Sequence, residues 1–182
     1  APGGGPEDET PPEIVSVFPP PGAGYTDLRN ITVEWSERLD EASAAVFIYP
    51  TVEYRLEISG SPMKIELASV VPEEPLVIHL PKEIQARRGN RVGISVDLVY
   101  TSADSLPSGQ LSISMIRQGG GSLSAITLVE LYKDTVLVRR TLPDSTGTAW
   151  IKWLEPGDYS LHCYEDPDRS YQWNSQQEAG ID

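Results

Sequence analysis

An all-β chain of two antiparallel β-sandwich domains, the second smaller than the first, is the fold class this sequence predicts, on three observations. Apolar and polar residues alternate in short runs such as Asn30–Trp35 and Tyr54–Ile58, the period of a strand with one buried face. Sixteen prolines and fifteen glycines sit between these runs, marking turns. The stretch Gln118-Gly119-Gly120-Gly121-Ser122 divides the pattern in two, with the composition of a flexible linker. The expected organisation is an extended Gly/Pro tether over 1–12, a sandwich over 13–117, a linker over 118–122, a small sandwich over 123–165 and a polar C-terminal tail over 166–182.

In the first unit the opening strand is Glu13–Phe18, stopped by Pro19-Pro20-Pro21-Gly22, since proline cannot donate to a ladder. Asn30–Trp35 places Ile31, Val33 and Trp35 on one face. Ala45–Tyr49 is the next strand, ended by Pro50; Tyr54–Ile58 and Lys64–Leu67 flank the turn signal Ser59-Gly60-Ser61-Pro62. Leu76–Leu80 is bracketed by Pro75 and Pro81, Arg91–Tyr100 is long and β-rich, and Gln110–Ile116 closes the set. Only Glu41–Val46 and Pro81–Arg87 have room for a helical turn, and neither is long enough to be a helix by itself.

In the second unit, Ala125–Tyr132 and Thr135–Thr141 flank Lys133-Asp134, a tight hairpin, and Thr148–Trp153 and Asp158–Tyr164 flank Glu155-Pro156-Gly157. A unit of about 60 residues has a marginal core. It is therefore expected to pack on the first unit or on a partner. Trp150, Trp153 and Trp173 give it unusual aromatic weight.

Composition excludes several classes. A net charge of −13 repels phosphate backbones, so no nucleic-acid partner is expected, and it opposes adsorption to anionic lipid. A single cysteine, Cys163, excludes an intramolecular disulfide framework and a cysteine-rich metal site. No apolar run approaches the roughly 20 residues that span a bilayer as a helix. The chain starts at Ala1 with the tether Pro2-Gly3-Gly4-Gly5-Pro6. Tethers of this composition follow a signal peptide or a lipidated cysteine, so an N-terminal lipid anchor upstream of Ala1 is an expectation.

Two segments carry a resemblance. Glu7-Asp8-Glu9-Thr10-Pro11-Pro12-Glu13-Ile14-Val15 to Pro21-Gly22, followed by Ile31–Trp35 and Ser36-Glu37-Arg38-Leu39-Asp40, resembles the opening of the bacterial Ig-like domain of S-layer-type proteins and Gram-negative lipoproteins, with Trp35 where that family usually has Phe. Val129-Glu130-Leu131-Tyr132, Asp144-Ser145-Thr146-Gly147-Thr148-Ala149-Trp150 and Leu154-Glu155-Pro156-Gly157-Asp158-Tyr159-Ser160-Leu161 resemble the small transthyretin-like or carboxypeptidase-regulatory-like β-sandwich. The second resemblance places Tyr159, Leu161 and Cys163 inward. Members of both families are mostly structural or interaction modules, which implies function by fold analogy alone.

No catalytic residues and no cofactor are assigned from the sequence. His79 and His162 lie inside strands, and no Gly-x-Ser-x-Gly elbow presents a nucleophile. His162 and Cys163 are strand neighbours, so they point to opposite faces and cannot act as base and thiolate. Glu165, Asp166 and Asp168 are a calcium candidate through hard oxygen ligands, without EF-hand spacing. Tyr164, Tyr171 and Trp173, in a polar C-terminal stretch, and the tether Pro2, Gly3, Gly4, Gly5 and Pro6 are the expected partner-binding residues. Together these readings lead to a non-catalytic accessory or structural subunit of a bacterial cell-envelope membrane protein complex, in the periplasm or on the cell surface. Such a subunit would act by protein–protein docking on a respiratory, photosynthetic or secretion assembly. The alternative is a surface adhesion or carbohydrate/calcium-binding module.

Overall fold

The protein is described by a computed structural model over residues 9–69, 74–117, 119–120, 126–166 and 180–181. The fold is all-β, with antiparallel sheets. Seven strands precede residue 101: β1 (Ile14–Phe18), β2 (Asn30–Trp35), β3 (Phe47–Tyr49), β4 (Tyr54–Ile58), β5 (Pro62–Leu67), β6 (Leu76–Leu80) and β7 (Val96–Tyr100). They form a four-stranded sheet of order β1-β2-β5-β4 and a three-stranded sheet of order β3-β6-β7. Between these two sheets lies one apolar core, built from Ile31, Val33 and Trp35 of β2, Met63, Ile65 and Leu67 of β5, and Leu76, Ile78 and Leu80 of β6. Each set alternates along its strand, as a one-sided burial requires. The prolines after β1 end its pairing, and the chain then crosses to the other sheet. There Gly22 bridges Tyr100 in parallel, its amide donating to Val99 O at 2.9 Å.

Asp40 caps a single 3-10 turn, Glu41–Ser43, by accepting from the Ala42 amide; Pro81–Arg87 forms turns and isolated bridges instead. The expected long strand Arg91–Tyr100 is shorter. Gly93 takes a φ of 77°, a conformation outside the β region, so regular pairing starts at Val96.

The remaining strands are β8 (Gly109–Ser114), β9 (Ile126–Lys133), β10 (Val136–Thr141), β11 (Thr148–Leu154), β12 (Ser160–Asp166) and β13 (Gly180–Ile181). They make a four-stranded sheet of order β10-β9-β12-β13 facing a β11-β8 pair. The core between them holds Val129, Leu131, Ala149, Ile151 and Leu154, with Tyr159, Leu161 and Cys163 packed against it, as the inward pattern of β12 predicted.

Two sequence expectations are corrected here. Gln110–Ile116 was expected to close the first sandwich. The strand found there, β8, pairs with β11 across the Gly-rich run, Ser112 opposite Trp150 and Gln110 opposite Lys152, and Leu111, Ile113 and Met115 pack on the second core. Alternation shows which side chains face a core and leaves the partner sheet open. The stretch from Asp166 was expected to be a polar tail; Asp166 is instead the last residue of β12, and Gly180–Ile181 pairs with Cys163 and Tyr164. Among the described residues no helix is long and apolar enough to cross a membrane.

Candidate functional site

Several strands are buried beyond what a sandwich face demands. Every residue of β6 is buried, although only Leu76, Ile78 and Leu80 face the first core. Val77 and His79 point the other way. By register they continue into Tyr49 and Phe47 of β3 on one side and Val99 and Asp97 of β7 on the other. In the second sandwich the outward positions of β9 and its neighbours are buried as well: Leu128 and Glu130 on β9, Tyr164 on β12, and Leu142 just after β10. These outer faces meet. The Arg140 guanidinium of β10 lies 5.7 Å from the Phe47 ring centre, and Lys82 Nζ donates to Pro143 O at 3.0 Å. The small sandwich thus packs on the first, which supplies the surface its marginal core lacks.

The densest polar chemistry among the described residues sits in that contact. Glu130 is buried and paired directly across the ladder with Arg140 on β10 and His162 on β12. Its carboxylate accepts from Arg140 Nε at 2.8 Å and from Arg140 Nη2. It accepts further from the Tyr132 hydroxyl at 2.7 Å and the Tyr164 hydroxyl at 3.2 Å. A buried carboxylate is tolerated when its acceptor sites are filled in this way. The Tyr49 hydroxyl lies against the guanidinium without a hydrogen bond of good geometry.

The electrostatics follow from burial. Desolvation raises the Tyr49 and Tyr164 pKa values well above the ordinary phenol range, with Glu130 adding to both and Arg140 opposing. Tyr132 is pushed up to about 12 by burial first and then by its hydrogen bond to Glu130 and that group's charge. Burial alone would lower the Arg140 pKa; attraction to Tyr49 and Glu130 more than reverses it, and the net shift is upward. Arg140 is therefore held as a guanidinium, and Tyr49, Tyr132 and Tyr164 as neutral phenols, across the ordinary pH range.

Beside it, His79 Nδ1 lies 2.6 Å from Asp97 Oδ1, directly opposite in the ladder, and the His79 ring stacks obliquely on Phe47 at 6.3 Å. His79 is 2% exposed and its Nε2 has no hydrogen-bond partner. This histidine–aspartate pair has the orientation of a base and its orienter; the His79 side chain is 3% exposed and that of Asp97 28%.

A second arginine occupies the other face of β10. The ladder slips between Leu137 and Arg139, and the extra residue at Val138 sends Arg139 inward while Arg140 points outward. Arg139 is 7% exposed; it donates from Nη1 to Val138 O at 2.6 Å and from Nη2 to Trp153 O at 3.2 Å. Burial lowers its pKa to about 10, against the attraction of Asp97, Tyr159 and Glu74.

Tyr164, expected as an exposed partner anchor, is 2% exposed and donates to Glu130; β12 alternates to its last residue, which carries Tyr164 into the contact rather than the surface. Of the calcium candidate, Asp166 is wholly buried, while Glu165 precedes it on the same strand. Strand neighbours point to opposite faces, so the two do not converge on one ion. Among the described residues no group of three or more His, Cys, Asp or Glu could hold a metal. Asp168, Tyr171, Trp173 and the tether residues Pro2, Gly3, Gly4, Gly5 and Pro6 lie outside the described residues. Cys163 lies against the second core, with its thiol pKa raised by burial. Trp150, one of the tryptophans that give the small unit its aromatic weight, is 52% exposed on the outside of β11.

Sequence reading missed Glu130, Arg139 and Arg140. The available signal was the run Val138-Arg139-Arg140 inside an apolar strand opposite Glu130, a charge density unusual for buried β positions. Comparison with known protein families, with curated proteins and with solved structures finds no match to this chain.

Proposed function

We propose that this chain is a non-catalytic accessory or structural subunit of a bacterial cell-envelope membrane complex, facing the periplasm or the exterior, and that it acts by docking and stabilisation. Its two sandwiches are read as an Ig-like unit followed by a transthyretin-like one. The strand order β1-β2-β5-β4 facing β3-β6-β7 supports the first half of that reading, because it follows the ABED/CFG arrangement of a constant-type Ig domain. The observation that carries the docking reading is where the reactive groups lie. Glu130–Arg140 of the second sandwich and His79–Asp97 of the first lie on the faces that meet between the sandwiches, where the Arg140 guanidinium reaches the Phe47 ring. The outside, by contrast, presents large apolar side chains at Phe18, Ile94 and Ile116, 74%, 75% and 91% exposed.

Gentle extraction of the tagged chain from its native membranes, with mass spectrometry of what travels with it, tests the proposal. A defined set of membrane subunits at fixed stoichiometry supports it; a chain recovered alone overturns it. The exposed Trp150 beside Thr148 and Lys152 on β11 favours a second reading, a carbohydrate-binding surface, since an indole face stacks on sugar rings. Saturable quenching of tryptophan fluorescence by a glycan, lost in Trp150→Ala, would shift the weight to it.

A further inference from the structure

Two irregularities of the second sandwich converge on one small cavity. One is the extra residue Val138 in β10; the other is the slip between Lys152 and Leu154 in β11. At the second, Trp153 takes a φ of 57°, the left-handed region that costs a bulky residue about 1–2 kcal/mol. Strain of this kind persists where the surroundings over-determine it, which is typical of binding sites. Val138, Arg139 and Trp153 all line the cavity, which holds about 50 Å³ and lies between the two sandwiches, with Pro50 and Pro75 closing it from the first. Its volume exceeds the one-water minimum of about 10–15 Å³ and suits a group of a few heavy atoms.

The cavity lining carries two positive side chains, Arg139 and Lys133, and two carboxylates, Glu74 and Glu155; Arg139 is buried, whereas both carboxylates are exposed. Arg139 is more than nine-tenths buried, and among the described residues it forms no ion pair with a carboxylate; its Nε has no hydrogen-bond partner. The bonds it does make go to neutral carbonyls, Val138 O and Trp153 O. Asp97 and Glu74 act on it only from a distance. A buried cation in this condition is costly unless an anion joins it. Lys133 adds a second positive charge to the lining, while Glu74 and Glu155 on the lining oppose a highly charged ligand such as phosphate. Val136, Tyr159 and the two prolines give the walls an apolar character. A monovalent, planar oxyanion on a short apolar stem fits all of these features, because a guanidinium fork matches a carboxylate in geometry as well as charge.

We propose that this cavity binds a carboxylate, with Arg139 as its counter-ion and Lys133 in support. The carboxylate belongs either to a free small acid or to an acidic side chain of a protein partner, and the chemistry at Arg139 is the same in both. This inference stands apart from the docking reading, since a small-acid site needs no complex.

The test follows the Arg139 Nε–H resonance in the full chain by ¹H–¹⁵N NMR, assigned through its side-chain correlations in the wild-type protein. Sodium acetate, a blocked Gly-Asp-Gly peptide and sodium chloride are titrated at constant ionic strength. A saturable shift with acetate and peptide identifies a site open to free small acids; a saturable shift with the peptide alone identifies a partner's side chain. In either case Lys133→Met weakens binding several-fold, and Arg139→Lys weakens it about ten- to a hundredfold, followed at the Trp153 indole resonance. A shift equal to that with chloride, or no shift at all, overturns the proposal. Because the wild-type titration decides the matter alone, it holds even if the Arg139 variant fails to fold.

Discussion

Removing Glu130 is the sharpest perturbation the structure offers. The side chain of Glu130 is 4% exposed and that of Arg140 16%, so Glu130→Ala strands a guanidinium in a site with little access to water. Breaking a buried pair by deleting one partner costs about 3–5 kcal/mol. Two phenol donors, Tyr132 and Tyr164, lose their acceptor at the same time. Hydrogen bonds to charged groups are worth about 1.5–3 kcal/mol each, but these groups act as one network and their losses do not add. The expected destabilisation is therefore about 3–5 kcal/mol, or a fall in Tm of roughly 6–20 °C for a chain of this size. The double variant Glu130→Leu/Arg140→Met should recover most of it, because replacing a whole buried pair by apolar groups of similar volume is often close to neutral. Urea unfolding followed by tryptophan fluorescence, with both single variants and the double, completes the cycle. A loss below about 1 kcal/mol in Glu130→Ala, or a double variant no better than the worse single, would refute the view of this pair as a desolvated lock.

Other expectations follow from local geometry. The pKa values of Tyr49, Tyr100, Tyr132 and Tyr164 are raised by burial; a raised folded pKa gives stability that is complete below the unfolded value of about 10 and is lost as pH climbs through the folded one. Arg139, lowered to about 10, pulls the other way in the same window, but as a single group. Stability should therefore fall above pH 10, and absorbance at 295 nm should show a tyrosine fraction that ionises only with unfolding; free titration of all eight tyrosines in the folded chain would contradict this. At Gly109 a Cβ would lie 2.2 Å from the Leu154 carbonyl oxygen, so Gly109→Ala must push β8 off β11 and cost about 1–3 kcal/mol by chemical denaturation. Asp134, at φ 58° in the two-residue turn joining β9 to β10, sits where such hairpins favour glycine, and Asp134→Gly should raise stability by up to about 1 kcal/mol, seen as a higher Tm.

Much of the strand pattern was legible in the sequence. Asn30–Trp35, Tyr54–Ile58 and Leu76–Leu80 are strands with the bounds their alternation and flanking prolines indicate, because period-two burial and proline stops are local effects. The association between strands was less legible. Gly109–Ser114 reads as a strand from its own residues, yet its partner is β11, chosen by a core assembled from distant segments. The site was the least legible part. A β-bulge at Val138 leaves no mark in the sequence, and without it Arg139 and Arg140 would exchange faces. Tyr164 reads as exposed because the residues after it are polar; its burial depends on Glu130 and on the first sandwich, which no local pattern encodes.

We propose that the two packed sandwiches serve together as a docking subunit. Native gel electrophoresis of gently solubilised membranes, comparing the wild-type chain with Glu130→Ala at a temperature where the variant remains folded, tests it most directly. The wild-type chain should migrate in a complex of defined mass, and Glu130→Ala, which frees Arg140 from its place beside the Phe47 ring, should be recovered in that complex in smaller amount. A wild-type chain that runs alone, or a variant that stays docked to the same extent, would contradict it.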